Sequence, residues 1–443
     1  MDLVINPTQR LNGTITAPGS KSYSHRAFII ASFAEGVSVI RNPLTSGDVS
    51  VTMNVLKTLG INITQASSDK TIVKRKEKSY DSVDQIIDCG NSGTSIRIFS
   101  ALALLVPGGL SFEGEFLKRK RPIIDLLESL KYVGGEYELS ENILKVRRTT
   151  QKCDTIRIRG EVSSQFITAL LILSTKLSCK QKDYMDIEIT TPLVSYPYVR
   201  ITLDVLKSFG ITIIEQLDNQ RKGMYSIQCN QQVRPQFYDV PGDFSSAAFM
   251  IAAAALAPEE SKVVINNLDL ESIQGDKRII DILQDMGANI ETLSNEKQVI
   301  IYGHRSKLPL KGVEIDCLES PDLFPILSVV GAIAKGKTVL YNVKNIRMKE
   351  SDRVAVMARE LTKMGVKVEE EEDRLIVYHC EQLSASTIDH ENDHRIAMAC
   401  CVAALYADSP GIIKNIEIAN DSYPTFIHHL KLLGANINNN KGE

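Results

Sequence analysis

VLKTLGINIT (residues 55–64) is one copy of a pattern that recurs six times along the chain. The others are LLESLKYVGGEYEL (126–139), VLKSFGITII (205–214), ILQDMGANIETL (282–293), ELTKMGVKVEEE (360–371) and HLKLLGANIN (429–438). Each reads as a short amphipathic helix, a glycine and a strand. The glycine falls where a helix needs a left-handed residue to end, and the apolar alternation after it has the period of a strand. Gly60, Gly134, Gly210, Gly287, Gly365 and Gly434 recur at roughly 75-residue intervals, too long for a linear solenoid array.

A second element keeps the same rhythm. SYSHRAFIIASFAEG, GNSGTSIRIFSALALL, GEVSSQFITALLILS, GDFSSAAFMIAAAAL, SPDLFPILSVVGAIA and NDHRIAMACCVAALYA are rich in Ala, Gly and Ser, which predicts helices packed on all sides. β-Branched strands such as VSVIRN (37–42), KVVINNL (262–268) and KTVLYNV (337–343) follow them. A unit is then a buried helix, a strand, an amphipathic helix and a strand. Six units divide into two pseudo-equivalent halves of three, with the boundary near Val240 and Pro241.

The 443 residues are 43% apolar and 24% charged, as in a globular α/β protein with substantial cores. Lys and Arg number 51 against 54 Asp and Glu, so the basic excess of a nucleic-acid coat is absent. The longest apolar stretches, 247–257 and 324–334, are shorter than the roughly 20 residues of a membrane span. MDLVINPTQR has no apolar core, so no signal peptide is expected. Eight scattered cysteines without a CxxC spacing predict neither a disulfide framework nor a zinc site, and suit a reducing cytoplasm. The glutamates at 369–372 read as a solvated strand end.

The chemistry is expected at the starts of the buried helices, whose unpaired N–H groups attract anions. Lys21 and Ser22 open the first, with Arg26 about one turn on; His25 reads as a packing or capping residue. Gly93, Thr94 and Arg97 repeat the design in the second. Ser163, Ser164 and Gln165 supply neutral donors suited to a phosphorylated, hydroxylated ligand, and Ser245 and Ser246 stand in the equivalent place. Asp322 opens the fifth, where it reads as a cap or a functional carboxylate. Asn345, Lys349, Glu350 and Arg353 crowd one helix start, with the two cations spaced i and i+4 as if to hold an anion between them. Arg395 adds a cation in the sixth. Pseudo-symmetry would gather these ends in a cleft for a polyanionic ligand. No GxGxxG, HExxH or DxDxDG accompanies them, so neither an organic cofactor nor a metal is expected.

At these residues the sequence resembles the 5-enolpyruvylshikimate-3-phosphate synthases (3-phosphoshikimate 1-carboxyvinyltransferases) over nearly its whole length. PGSKSYSHRA, GNSGTSIR, VSSQF, SYPYVRITLDVLKSFG, GDFSSA, QGDKR, RMKESDR and NDHRIAMA carry the likeness, and PDLFPIL is nearer the archaeal members. The resemblance implies two domains of three βαβαββ units each, with buried parallel helices: 13–239, and 1–12 with 240–443. It implies transfer of the enolpyruvyl group of phosphoenolpyruvate to the 5-hydroxyl of shikimate 3-phosphate, without a cofactor, and a monomer is expected. By the same likeness Lys21 would contact both substrates. Ser22, Arg26, Ser163, Ser164, Ser195 and Tyr198 would bind shikimate 3-phosphate, with Gln165 between the substrates. Gly93, Arg353 and Arg395 would surround phosphoenolpyruvate. Asp322 would take the 5-hydroxyl proton, Asn345 and Lys349 would hold the shikimate side, and Glu350 would protonate the enol carbon.

Two positions depart from the family pattern. A cation four residues ahead of Arg121-Pro122 is replaced by Leu117, and the Lys of a Lys-Ser-Tyr-Pro pattern by Asp421. Arg119 is the expected substitute for the first. The related transferase that uses UDP-N-acetylglucosamine needs a loop cysteine, and residues 113–121 contain none. A catalytically silent paralogue that binds shikimate-type anions is the other alternative, against which stand Asp322, Glu350 and Lys349.

Overall fold

The computed structural model describes the whole chain except residues 76, 78, 178, 180, 181, 259, 304–308 and 440–443. The described strands form six four-stranded sheets built to one plan. An edge strand lies parallel to its neighbour, and the third and fourth strands are antiparallel. In the first sheet Phe237–Asp239 runs parallel to Gly36–Arg41, followed by Lys70–Arg75 and Asn62–Ser67. A parallel pair needs a crossover, and a buried helix supplies it: Ile156–Ile158 leads through helix Ser164–Ser174 to Tyr184–Ile189.

The repeated glycines end the amphipathic helices as their spacing predicted. All six have positive φ, between 85° and 104°. After helix Gly47–Thr58, Gly60 N–H bonds Lys57 O and Ile61 N–H bonds Leu56 O. The same pair of bonds recurs at Gly210, Gly287, Gly365 and Gly434, so one left-handed residue re-satisfies the last carbonyls each time.

The chain divides into two compact units, Lys21–Val240 and Met1–Ser20 with Pro241–Glu443, each holding three of the sheets. Residues 13–20, expected in the first, belong to the second. Strand Asn12–Thr16 runs parallel to Lys262–Asn266, with Ile15 opposite Ile265, so its backbone bonds lie there. The N-terminal strand Leu3–Ile5 in turn sits between Gly411–Ile413 and Ile437–Asn439 and completes the sixth sheet.

The six small-residue helices are the cores of the units. Every residue of Phe244–Leu256 and of His394–Ala404 is buried. These two pack on Phe324–Ile333 in the second unit, while Gly93–Leu102 packs on Ser164–Ser174 in the first. Small side chains permit such close helix approach, and burial on every side replaces the one-sided stripe of a surface helix. Among the described residues no helix is long and apolar enough to cross a membrane.

One expectation fails here. A disulfide joins Cys153 to Cys179, whose Cα atoms are 6.0 Å apart. The reason is tertiary: Ile156 pairs with Ile187, so the segments leading into both strands meet at one end of the sheet.

Candidate active site

Each unit carries one polar cluster at the starts of its buried helices. In the first unit Lys21 begins helix Lys21–Ala31 and its Nζ lies 3.1 Å from Asp48 Oδ2, with both side chains largely buried. Arg26 does not share that partner. Its guanidinium donates to Thr202 Oγ1 (2.8 Å), Ser22 O (2.8 Å), Thr168 Oγ1 (3.1 Å) and Tyr198 O (3.1 Å). Arg26 therefore ties its helix to Ser164–Ser174 and Tyr196–Ser208, and holds Ser22 and Tyr198 by their carbonyls. His25 is buried against Thr52 (2.7 Å); burial and then the charges of Lys21 and Arg26 hold it neutral, as befits a packing residue.

Gly93 opens helix Gly93–Leu102, capped by Ser92, whose Oγ accepts from Ser95 N–H. A Cβ at Gly93 would lie 3.0 Å from Arg97 Nη1 and 3.1 Å from Arg121 Nη2, so two guanidinium ends converge on this backbone. Arg97 donates to Pro122 O and to Gln165 Oε1 (2.5 Å), while Gln165 Nε2 donates to Thr94 Oγ1 (3.1 Å). Arg121 donates to Asn91 O (2.7 Å), and the Phe116 ring lies against both guanidiniums. Ser163 caps helix Ser164–Ser174 at Gln165 N–H, and Ser164 is buried beside it. Ser195, left-handed at φ 52°, precedes helix Tyr196–Ser208 without using its hydroxyl as a cap.

The second unit holds the densest cluster. Asp322 lies in the turn Pro321–Leu323 and does not cap helix Phe324–Ile333. Its carboxylate accepts from Arg353 Nη1 at Oδ1 and Arg395 Nη2 at Oδ2, both 2.9 Å. Burial opposes its charge, but Arg395, Arg353 and Lys349 outweigh that and hold the carboxyl well below the usual range. Arg353 is 1% exposed and also binds Glu350 Oε2 (2.7 Å) and Asp393 Oδ2 (2.7 Å). Asp393 caps helix His394–Ala404 at Arg395 N–H as well. Lys349 and Arg353 do not share a helix face. A turn of 3-10 helix, Lys344–Met348, ends before Lys349, and the α-helix begins at Arg353. Asn345 Oδ1 is buried with no hydrogen-bond partner among the described residues.

Behind this cluster Asp276 accepts from Ser245 Oγ, while Gln274 clamps Phe244 N–H and Gly242 O. Burial, then the charge of Asp322, pushes the Asp276 carboxyl up to about 7. The folded chain thus keeps this proton to higher pH than the unfolded chain. Its contribution to stability is full below about pH 4 and is lost as pH rises through about 7. Asp276→Asn, which has no proton to lose, is expected to narrow the fall in melting temperature between pH 5 and pH 8. An unchanged pH dependence would refute the assignment.

The expected residues thus form two groups: Lys21, Ser22, Arg26, Gly93, Ser163, Ser164, Gln165, Ser195 and Tyr198 in one unit, and Asp322, Asn345, Lys349, Glu350, Arg353 and Arg395 in the other. Arg119 does not join Gly93. It pairs with Glu115 at 2.9 Å, whereas Arg121 and Arg97 approach the glycine. Arg121 was legible only as half of an Arg-Pro pair, and Asp276 and Asp393 only as members of motifs without a role.

The family model for EPSP synthase (3-phosphoshikimate 1-carboxyvinyltransferase) matches residues 5–430. The chain belongs to the EPSP synthase family. A 3-phosphoshikimate 1-carboxyvinyltransferase from Methanocaldococcus jannaschii is 41% identical over 441 residues, covering 98% of this chain and 99% of that protein. One from Methanococcus vannielii is 40% identical over 442 residues, with the same coverage. An EPSP synthase from Acinetobacter baumannii, 23% identical, shares the fold with a TM-score of 0.79 over 100% of both chains. EPSP synthases move the enolpyruvyl group of phosphoenolpyruvate to the 5-hydroxyl of shikimate 3-phosphate and release phosphate, in aromatic amino acid biosynthesis. That is the reaction of this chain.

Proposed function

We propose that both clusters serve this one reaction, with Asp322 as the base, Glu350 as the acid and Arg395 as the group that controls the base. The observation that carries the reading is the Asp322 carboxylate gripped by two arginines. So held, it is a weak base. A substrate phosphate or carboxylate that draws Arg395 to itself removes one of those charges and raises the basicity of Asp322. The base is then switched on by the substrate it serves. Asp322 takes the 5-hydroxyl proton as that oxygen attacks C2 of phosphoenolpyruvate, and Glu350 delivers a proton to C3. The tetrahedral intermediate loses phosphate as a proton returns from the new methyl group. Lys349 and Asn345 hold the shikimate side.

On the other unit, Ser22, Ser163, Ser164, Ser195 and Tyr198 bind shikimate 3-phosphate, with Arg26 fixing the backbone of Ser22 and Tyr198. Lys21 contacts both substrates, and Gln165 is positioned by Arg97 and Thr94. Gly93, Arg97 and Arg121 receive phosphoenolpyruvate, which compensates for Leu117. The silent-paralogue reading is not favoured, because both carboxylates and the lysine are present. Both substrates are multiply charged and would cross a bilayer only at high cost, which supports a cytoplasmic enzyme. We take it to act as a monomer, since one chain supplies both clusters.

Phosphate release by the purified protein tests the reading: it is expected only with both substrates together, and release with either alone would overturn it. Within that assay Arg121→Ala is expected to raise KM for phosphoenolpyruvate about 10- to 100-fold, the worth of a charged hydrogen bond. Arg119→Ala is expected to stay within about twofold, as for an exposed ion pair. The reverse order would restore Arg119 to the site.

A further inference from the structure

Cys153 and Cys179 take no part in the transferase reaction. They bracket the crossover that carries Ser163, Ser164 and Gln165. Cys153 lies three residues ahead of strand Ile156–Ile158, and Cys179 lies between helix Ser164–Ser174 and strand Tyr184–Ile189. These two strands are parallel and in register, so the bond closes the crossover at the end where both strands begin. Ser163 to Gln165 stand at the opposite end of the helix, about 16 Å away by the rise of 11 residues.

The two sulfurs are not equivalent. Cys179 is 5% exposed, with its Sγ 3.2 Å from Met185 Sδ. Cys153 is only partly buried. The other described cysteines are buried except Cys380, which is partly exposed.

We propose that Cys153 and Cys179 form a reversible thiol–disulfide site, exchanged at the partly exposed Cys153 by low-molecular-weight thiols. Its redox state sets the stability of the crossover and leaves the chemistry at the far end of the helix unchanged. A thiolate attacks Cys153 Sγ; the disulfide breaks and its electron pair leaves on Cys179, which takes up a proton. A second thiolate attacks the outer sulfur of the mixed disulfide and releases Cys153 as a thiol. Two small thiols are oxidised to one disulfide as the protein is reduced by two electrons. Opening the bond returns loop entropy to the unfolded chain, and so destabilises the unit.

The test uses the full chain, equilibrated over a series of reduced-to-oxidised glutathione ratios, alkylated and mapped by mass spectrometry. Alkylation of Cys153 and Cys179 is expected to rise together with the ratio. The melting temperature should fall by about 5–10 °C on reduction, while KM for shikimate 3-phosphate stays within twofold. Two free thiols at every ratio, or a melting temperature indifferent to the ratio, would overturn the proposal. Single variants test the direction of attack. Cys179→Ser should accumulate a glutathione adduct at residue 153, whereas Cys153→Ser should acquire none at residue 179. The opposite pattern would exclude Cys153 as the attacked sulfur, and Cys380 serves as the internal control for reactivity.

Discussion

Asp322→Asn is expected to lower kcat by about 10²- to 10⁴-fold, the usual contribution of a positioned proton acceptor. The amide keeps the shape of the carboxyl group and removes its basicity. Binding of shikimate 3-phosphate, measured by calorimetry, should change by less than about tenfold, because the serines proposed to hold it, Ser163, Ser164 and Ser195, belong to the other unit. Folding should survive, since Arg353 keeps Asp393 and Glu350. The combination separates a base from a binding residue: a loss of kcat with affinity retained assigns proton transfer. Turnover within tenfold of the parent would remove Asp322 from that role, and a parallel loss of affinity would make it a ligand.

The second large effect is on stability. Arg353 is among the largest fully buried side chains and faces Asp322, Glu350 and Asp393. Burial alone disfavours its charge, yet the three carboxylates hold its pKa well above the usual value. Arg353→Met keeps an unbranched side chain there but leaves the carboxylates facing one another without the common cation. Breaking a buried ion pair from one side costs about 3–5 kcal/mol, and this cation serves three partners. The loss should appear in the urea midpoint. It should shrink as pH falls towards 5, because unpaired buried carboxylates have raised pKa values and take up protons that neutralise their repulsion. The sign matters: a deficit that is constant with pH would indicate lost packing, and a deficit under 1 kcal/mol would mean the carboxylates find other partners.

The two effects meet in one geometry. Arg353 is locked by Asp393 from behind, whereas Arg395 reaches Asp322 from the start of its helix. Arg353 is bound by three carboxylates, and in the proposed mechanism Arg395 is the arginine that a ligand anion draws away. That difference in partners is invisible in the motifs RMKESDR and NDHRIAMA, which give no sign of what Arg353 and Arg395 bind.

The sixfold plan is legible in the amino-acid order alone. Glycine at Gly60 and its five equivalents reports a backbone requirement that is local, and the small-residue helices report burial by composition. The helix starts could be read as anion sites for the same reason, since a helix end exposes its donors wherever it lies. The partners of these groups emerge only in the folded chain. Arg26 is consumed by Thr168 and Thr202, 142 and 176 residues away. Gln165 is oriented by Arg97, 68 residues away, and the choice of Arg121 over Arg119 depends on which side of one turn faces Gly93. The strands Leu3–Ile5 and Asn12–Thr16 complete sheets of the C-terminal half, and Cys153 meets Cys179 through a strand register. Periodicity and capping act over a few residues and leave their mark in order along the chain. Ion pairs, strand partners and disulfides act across space, where the energy depends on distance and burial that no local pattern encodes.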